Sequence, residues 1–165
     1  ENLLFGIDPS HVDAAEHERV RGICKLLMVE NRVLEFLDST EEKRWPDVFS
    51  GAQNQLLMIA RALINNAELI CFHKPLVKLD ESQTQHVMDT LHRHVSEKGV
   101  MQKSHASMRR PRTVVVTSSN DYAVKKAHEI IKVSGETNQP TNHHRKTPAK
   151  ATLRMEKPIA SESGQ

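Results

Sequence analysis

Across residues 11–38, charged and apolar positions alternate at helical spacing, with Val20, Ile23 and Leu27 followed by Val33 and Leu37. That spacing predicts two amphipathic helices facing a common core, with Asn31 at their join. Residues 39–48 are charged and contain Trp45-Pro46, which reads as a loop leading to a new helix. This helix is expected over residues 50–65: Leu56, Ile59, Ala60, Leu63 and Ile64 fall on one face, Ser50 suits the N-cap, and Asn65-Asn66 supplies the stop. Residues 69–72 form a short apolar run ended by Lys74-Pro75, the pattern of a strand buried on both faces in a parallel sheet. A helix over residues 81–97 carries Val87, Leu91 and Val95 at four-residue spacing, and the β-branched run at 113–117 reads as the next buried strand. Between them, residues 98–112 are basic, lack acids and are expected to form an exposed loop. A short helix at 121–128 and a strand at 129–133, closed by Ser134-Gly135, complete an alternating α/β order.

The chain has 165 residues, which allows one modest core and no second one. It opens on Glu1 with helix-like patterning at once, so we expect a piece of a larger protein. No run approaches the roughly 20 apolar residues of a membrane span, and no secretory signal is evident; the segment itself is expected to be soluble. Cys24 and Cys71 sit in apolar stretches without a second cysteine nearby, which favours reduced, buried thiols in an intracellular compartment. Net charge is +2, and its distribution locates the excess: residues 1–136 hold 18 basic and 19 acidic side chains, whereas 137–165 hold 5 and 2. That basic tail has little to pack, so disorder is expected over 137–165.

Two sets of residues raise chemistry that their spacing does not support. Among ten histidines, the pairs His92/His94 and His143/His144 invite a metal, yet residues two apart on a helix face different ways and a tail pair lacks further ligands; no metal site is expected. Arg109, Arg110 and Arg112 lack interleaved aromatics in a chain only 4% aromatic, so no nucleic-acid partner is expected.

The phrase Ser50-Gly51-Ala52-Gln53-Asn54-Gln55, followed by Arg61-Ala62-Leu63, is different. A serine–glycine turn before a helix is, standing alone, usually only a cap. A loop of small residues entering a helix also directs unpaired N–H groups toward an anion. The phrase resembles the signature motif of ATP-binding-cassette (ABC) transporter nucleotide-binding domains, usually Leu-Ser-Gly-Gly-Gln followed by Ala-Arg-Ala-Leu. Downstream, residues 69–72 and His73-Lys74-Pro75-Leu76-Val77-Lys78-Leu79-Asp80 resemble the family's Walker B strand, Asp-Glu-Pro and D-loop. The opening Glu1-Asn2-Leu3-Leu4-Phe5-Gly6 resembles the phrase that begins the helical subdomain in ABC exporters. Three motifs in the family's order carry more weight than any one.

The resemblance covers residues 1–136 and implies a partial P-loop NTPase fold, with a helical subdomain and signature helix at 1–65 and a Walker B and switch region at 66–136. The Walker A loop, G-x-x-x-x-G-K-[ST], is absent from the sequence, so the chain alone is expected to bind ATP poorly. By the resemblance, Ser50, Gly51, Ala52 and Gln53 would face a nucleotide held by a second nucleotide-binding domain, and Asp80 would lie in the D-loop. The implied cofactors are ATP and Mg²⁺ in the intact assembly, and the further partners are the parent transporter's transmembrane domains, with the segment on the cytoplasmic face of the membrane.

The catalytic positions depart from the pattern. The Walker B aspartate and following glutamate are His73 and Lys74, and the switch histidine falls on Ser118 or Ser119. Imidazole is a poor ligand for Mg²⁺, an ammonium repels the metal and accepts no proton, and a serine hydroxyl brings no positive charge. Ala52 replaces the second glycine, adding a methyl where backbone must approach phosphate closely. The pattern therefore implies an asymmetric pair, in which this half completes a partner's ATP site while its own site does not turn over. The rival reading is a non-catalytic interaction module derived from an ABC domain.

Overall fold

Leu56, Leu57, Ile59, Ala60, Leu63 and Ile64 are all 1% exposed or less, and they lie on one helix, α4 (Gly51–Asn65), around which the core is built. The computed structural model describes residues 2–8, 10, 12–37, 44–133 and 141–143. Helix α1 (Ala14–Leu26) lays Ile23 and Cys24 against α4, and the turn into α2 (Asn31–Leu37) adds Leu27, Val29, Val33 and Leu34. The two helices expected over residues 11–38 are these, with Asn31 opening the second. Fully burying a side chain of this size contributes about 1.5–3 kcal/mol, so the helical layer rests on the α4 stripe.

Both ends of α4 are closed. Asn66 takes the left-handed conformation at φ 56°, a common helix stop. The last carbonyls have no partner within the helix, and buried Arg19 of α1 donates from Nη2 to the Ile64 carbonyl while a bidentate contact to Glu16 holds its guanidinium. A cation at a helix C-terminus is favourable on both counts.

Strands β1 (Leu69–His73) and β2 (Thr113–Thr117) pair in parallel, with Leu69 opposite Thr113 and His73 opposite Thr117. Helix α5 (Glu81–Ser96) lies between them in the chain and turns Val87, Met88 and Leu91 into the core. The strands lie where the sequence predicts, but their burial differs. Ile70, Phe72, Val114 and Val116 face the core, whereas Leu69 is 58% and Val115 48% exposed and Cys71 is also exposed. A parallel strand is buried on both faces only when helices cover both, and the described residues cover one. The expectation of a buried thiol therefore holds for Cys24, whose pKa burial pushes up to about 11, and fails for Cys71.

Residues 45–48 correct the expected loop: Trp45–Val48 form a single helical turn, α3, with Pro46 in the first turn, where its ring and missing N–H are tolerated. The basic loop 98–112 contains a 3₁₀ turn at Ala106–Met108. Its arginines are tied back, with Arg109 donating to the Gly99 carbonyl at 2.8 Å, Arg110 to Glu68 at 3.0 Å and Arg112 to Asn66 Oδ1 at 3.2 Å. Helix α6 (Asp121–Lys126) starts at the Asn120 cap and ends two residues earlier than expected. Among the described residues no helix is long and apolar enough to cross a membrane.

The chain divides into two units, residues 1–127 and 128–165. In the second, β3 (Ile130–Lys132) pairs antiparallel with β4 (Thr141–His143), Ile130 opposite His143. The strand expected at 129–133 is thus present but outside the parallel sheet, and the expectation of disorder over 137–165 differs at Thr141–His143. This short ladder is set by backbone pairing between separate segments and not by local hydrophobicity, which is why a composition argument misses it. The remainder of 137–165 lies outside the described residues.

His94, on the core face of α5, is fully buried with both ring nitrogens unpartnered. Burial, with lesser effects of the Arg112 and Arg19 charges, lowers its pKa to about 4. The folded chain therefore keeps it neutral while the unfolded chain protonates near the ordinary value of about 6.5. Its stabilising contribution is complete above that pH and is lost as pH falls toward 4. Urea melts from pH 7 to 4.5 are expected to show this loss, up to on the order of 3 kcal/mol, and His94→Leu is expected to flatten the slope.

Candidate functional site

Ser50 sits at the N-cap of α4 in extended conformation, and its Oγ accepts from the Gln53 N–H at 3.2 Å. Gln53 Oε1 accepts from the Ser50 N–H at 2.9 Å, closing a capping box. Gln53 is itself buried, and its Nε2 donates to Glu30 Oε1 at 2.8 Å. One amide therefore fixes the cap and ties it to the turn before α2. Asn54 adds a clasp, its Nδ2 donating to the Phe49 carbonyl at 2.9 Å and the Ser50 carbonyl at 3.1 Å.

This leaves a defined outward face. Ser50 and Gly51 are exposed and Ala52 is half-buried. Gly51 and Ala52 occupy the first two helical positions, where no carbonyl one turn back can accept their N–H groups. The Ser50 hydroxyl, accepting from Gln53, keeps its proton to donate. A hydroxyl and two N–H groups at the positive end of a 15-residue helix suit an anion in chemical character. The turn after β1 returns here: a Cβ added to Gly51 would lie 3.1 Å from Lys78 Cδ and 3.7 Å from Lys78 Nζ.

His73, Lys74 and Ser118 gather at the carboxyl ends of β1 and β2. The Lys74 N–H donates to the Thr117 carbonyl at 3.1 Å and to Thr117 Oγ1 at 3.0 Å, while Thr117 Oγ1 lies 3.1 Å from His73 Nδ1. The Thr117 hydroxyl thus bridges the Lys74 backbone and the His73 ring, engaging Nδ1 in either tautomer. Lys74 holds φ +47°, a region costing a non-glycine residue about 1 kcal/mol. Such a donor set, one engaged imidazole and one ammonium, does not fit Mg²⁺, which takes oxygen ligands. Ser118 Oγ accepts from the Asn120 N–H at 3.0 Å, and Ser119 beside it is exposed.

Asp80 caps α5, with Oδ1 accepting from the Gln83 N–H at 2.7 Å and Gln83 Oε1 accepting in return at 3.2 Å. His92 is exposed on α5 while His94 is buried, so they do not converge. His143 lies in β4 and His144 lies outside the described residues. Among the described residues no group of three or more His, Cys, Asp or Glu is placed to hold a metal. Sequence reasoning missed Glu30, 23 residues from Gln53, for which no local signal exists. It also left Lys78 unremarked, although the position interrupts a motif segment with a charge.

No protein-family profile matches the chain. Curated relatives include the ABC-type transporter cicA of Emericella nidulans, 36% identical over 89 residues, spanning 54% of this chain and 6% of that protein. The cell division ATP-binding protein FtsE of Bacillus subtilis is 35% identical over 68 residues, 39% of this chain and 30% of that protein. In structure, the chain is similar to two dimers of the bacterial ABC transporter cassette MJ0796, one of them in a post-hydrolysis state bound to ADP and Pi. Both give a TM-score of 0.59, at 24% and 25% identity, and cover 85% of this chain and 52% of the cassette. The chain thus spans about half of a cassette and less than a third of these curated relatives, and its fold is a partial ABC ATPase fold.

The capping geometry carries an energetic consequence. Ser50→Ala is expected to cost about 1 kcal/mol in urea unfolding. Gln53→Glu keeps the shape but sets a carboxylate against Glu30, so it is expected to cost about 1–3 kcal/mol, with Glu30→Gln in the same chain restoring most of the loss.

Proposed function

We propose that this chain, which shares sequence and fold with the C-terminal part of ABC nucleotide-binding domains, completes the ATP site of an opposing ABC nucleotide-binding domain while its own catalytic position does not turn over. The observation that supports this best is the asymmetry of preservation. The start of α4 offers the Ser50 hydroxyl and the Gly51 and Ala52 N–H groups outward, the donors a terminal phosphate accepts from. Gln53 serves behind them, holding the cap rather than meeting the ligand. At the ends of β1 and β2, by contrast, His73 and Lys74 offer neither a metal-binding carboxylate nor a base.

In this reading ATP and Mg²⁺ are held by the opposing domain. The chain's contribution is positioning and electrostatic: its donors meet negative charge on the phosphate in a water-poor interface, where each counts for more than in bulk water. The Ala52 methyl narrows the approach at the second helical position, so Ser50 and Gly51 carry most of the contact. Asp80 caps α5 directly after the turn carrying Lys78. The dimeric arrangement of MJ0796 supports an opposing domain as partner, and the transporters among the relatives support transmembrane domains as the parent's further components, with this segment on the cytoplasmic face. A non-catalytic interaction module is the alternative.

ATPase activity of the assembled parent separates the two. Ser50→Arg is expected to reduce turnover at least about tenfold, while His73→Asp with Lys74→Glu is expected to raise it by activating the silent site. No change in either variant would discard the asymmetric pair in favour of the interaction module.

A further inference from the structure

The basic loop 98–112 leaves the end of α5 and crosses α1. Val100 anchors it in the core, fully buried. The Gly99 N–H donates to the His94 carbonyl at 2.8 Å, and the Gly99 carbonyl accepts from Arg109 Nη1 at 2.8 Å. Lys103 Nζ meets Asp13, the N-cap of α1, at 3.0 Å with both side chains mostly in water, a pair that holds little. The remaining contact with α1 is made by Met101, whose thioether lies on Gly22: a Cβ added to that glycine would stand 2.5 Å from Met101 Sδ.

Both members of this contact are disfavoured where they stand. Gly22 lies inside α1, where glycine weakens a helix because the unfolded chain gains so much freedom from it. Met101 holds φ +51°, a left-handed conformation that a residue with a Cβ keeps only when its surroundings impose it. Each residue accounts for the other. Only a position without a side chain lets the thioether come this close to the helix, and the thioether seated there holds Met101 in its strained turn.

The seat is also reachable from water, because Met101 is 39% exposed. A thioether suits bare helix backbone, being polarizable and nearly apolar. Its sulfoxide does not, since it carries a strong acceptor oxygen. The Gly22 N–H is already bonded within the helix and offers that oxygen no donor, so the oxidised side chain gains by turning out to water.

We propose that Met101 is an oxidation site at which a peroxide unlatches loop 98–112 from α1. The sulfur lone pair attacks one peroxide oxygen, and the S–O bond forms as the O–O bond breaks. The proton of the transferred hydroxyl passes to the departing hydroxide, which leaves as water; sulfur is oxidised and peroxide reduced by two electrons. Met101 then leaves Gly22, and residues 99–103 open. Reduction of the sulfoxide restores the contact. This device rests on α1 and the loop alone and needs neither nucleotide nor an opposing domain.

The full chain is treated with hydrogen peroxide, each methionine is followed by mass spectrometry, and backbone hydrogen exchange is measured before and after. Met108, in the same loop and 83% exposed, reports that the reagent has acted. Exchange at residues 99–103 is expected to quicken at least about fivefold on oxidation while α4 stays protected, and methionine sulfoxide reductases are expected to reverse the change. Met101→Leu keeps the volume and removes the sulfur, so in that variant peroxide is expected to leave the loop's exchange unchanged, with circular dichroism checking the fold. Conversion of Met108 while Met101 resists, conversion of Met101 without faster exchange, or equal quickening in Met101→Leu overturns the proposal. Equal quickening across α4 overturns it too, because it marks general unfolding and not a local latch. Should Met101→Leu fail to fold, reversal by the reductases in the unaltered chain decides: exchange that stays fast after Met101 is reduced again overturns the latch.

Discussion

The amide of Gln53 is the contact on which the outward face of α4 depends. Its oxygen accepts from the Ser50 N–H, its nitrogen donates to Glu30, and its own backbone N–H is capped by Ser50 Oγ. Buried at 6% exposure, it can make these bonds without competition from water. A neutral amide suits the place because it both donates and accepts; a carboxylate has only acceptors and an ammonium only donors. With the cap locked from behind, the front of the helix start is free to meet something else.

In the proposed pairing, that division lets the outward face of α4 act without a working site at the ends of β1 and β2. The capping box is also a folding device, so stability alone favours Ser50 and Gln53, whatever the phosphate chemistry requires. No such second duty ties a carboxylate to positions 73 and 74. There, a hydroxyl bridge from Thr117 and a left-handed Lys74 close the ends of the two strands with groups the backbone accepts.

Much of this was legible from spacing. The α4 stripe, its serine cap and its asparagine stop are local signals, and both parallel strands follow from short apolar or β-branched runs. Burial was harder to read, because it depends on what covers a strand rather than on the strand: nothing in the run Leu69-Ile70-Cys71-Phe72 reveals that alternate residues lie in the open. The Trp45–Val48 turn was hidden because Pro46 signals a break as readily as a helix start. The tether from Gln53 to Glu30 joins positions 23 apart, and the pairing of Ile130–Lys132 with Thr141–His143 joins two segments of three residues each. Neither has a period to find. At the candidate site, the residue types at 50–53, 73 and 74 were legible, while the approach of Lys78 to Gly51 exists only once the turn after β1 folds back against α4.

The two cysteines sit on opposite sides of one boundary. Cys71 stands on the open sheet face, whereas Cys24 is wholly enclosed with its thiol held protonated far above neutrality. An alkylating reagent thus meets one sulfur at once and reaches the other only when the helical layer opens. Without any engineered label, the chain carries two chemical clocks, one set by the accessibility of its sheet and the other by the opening of its interior.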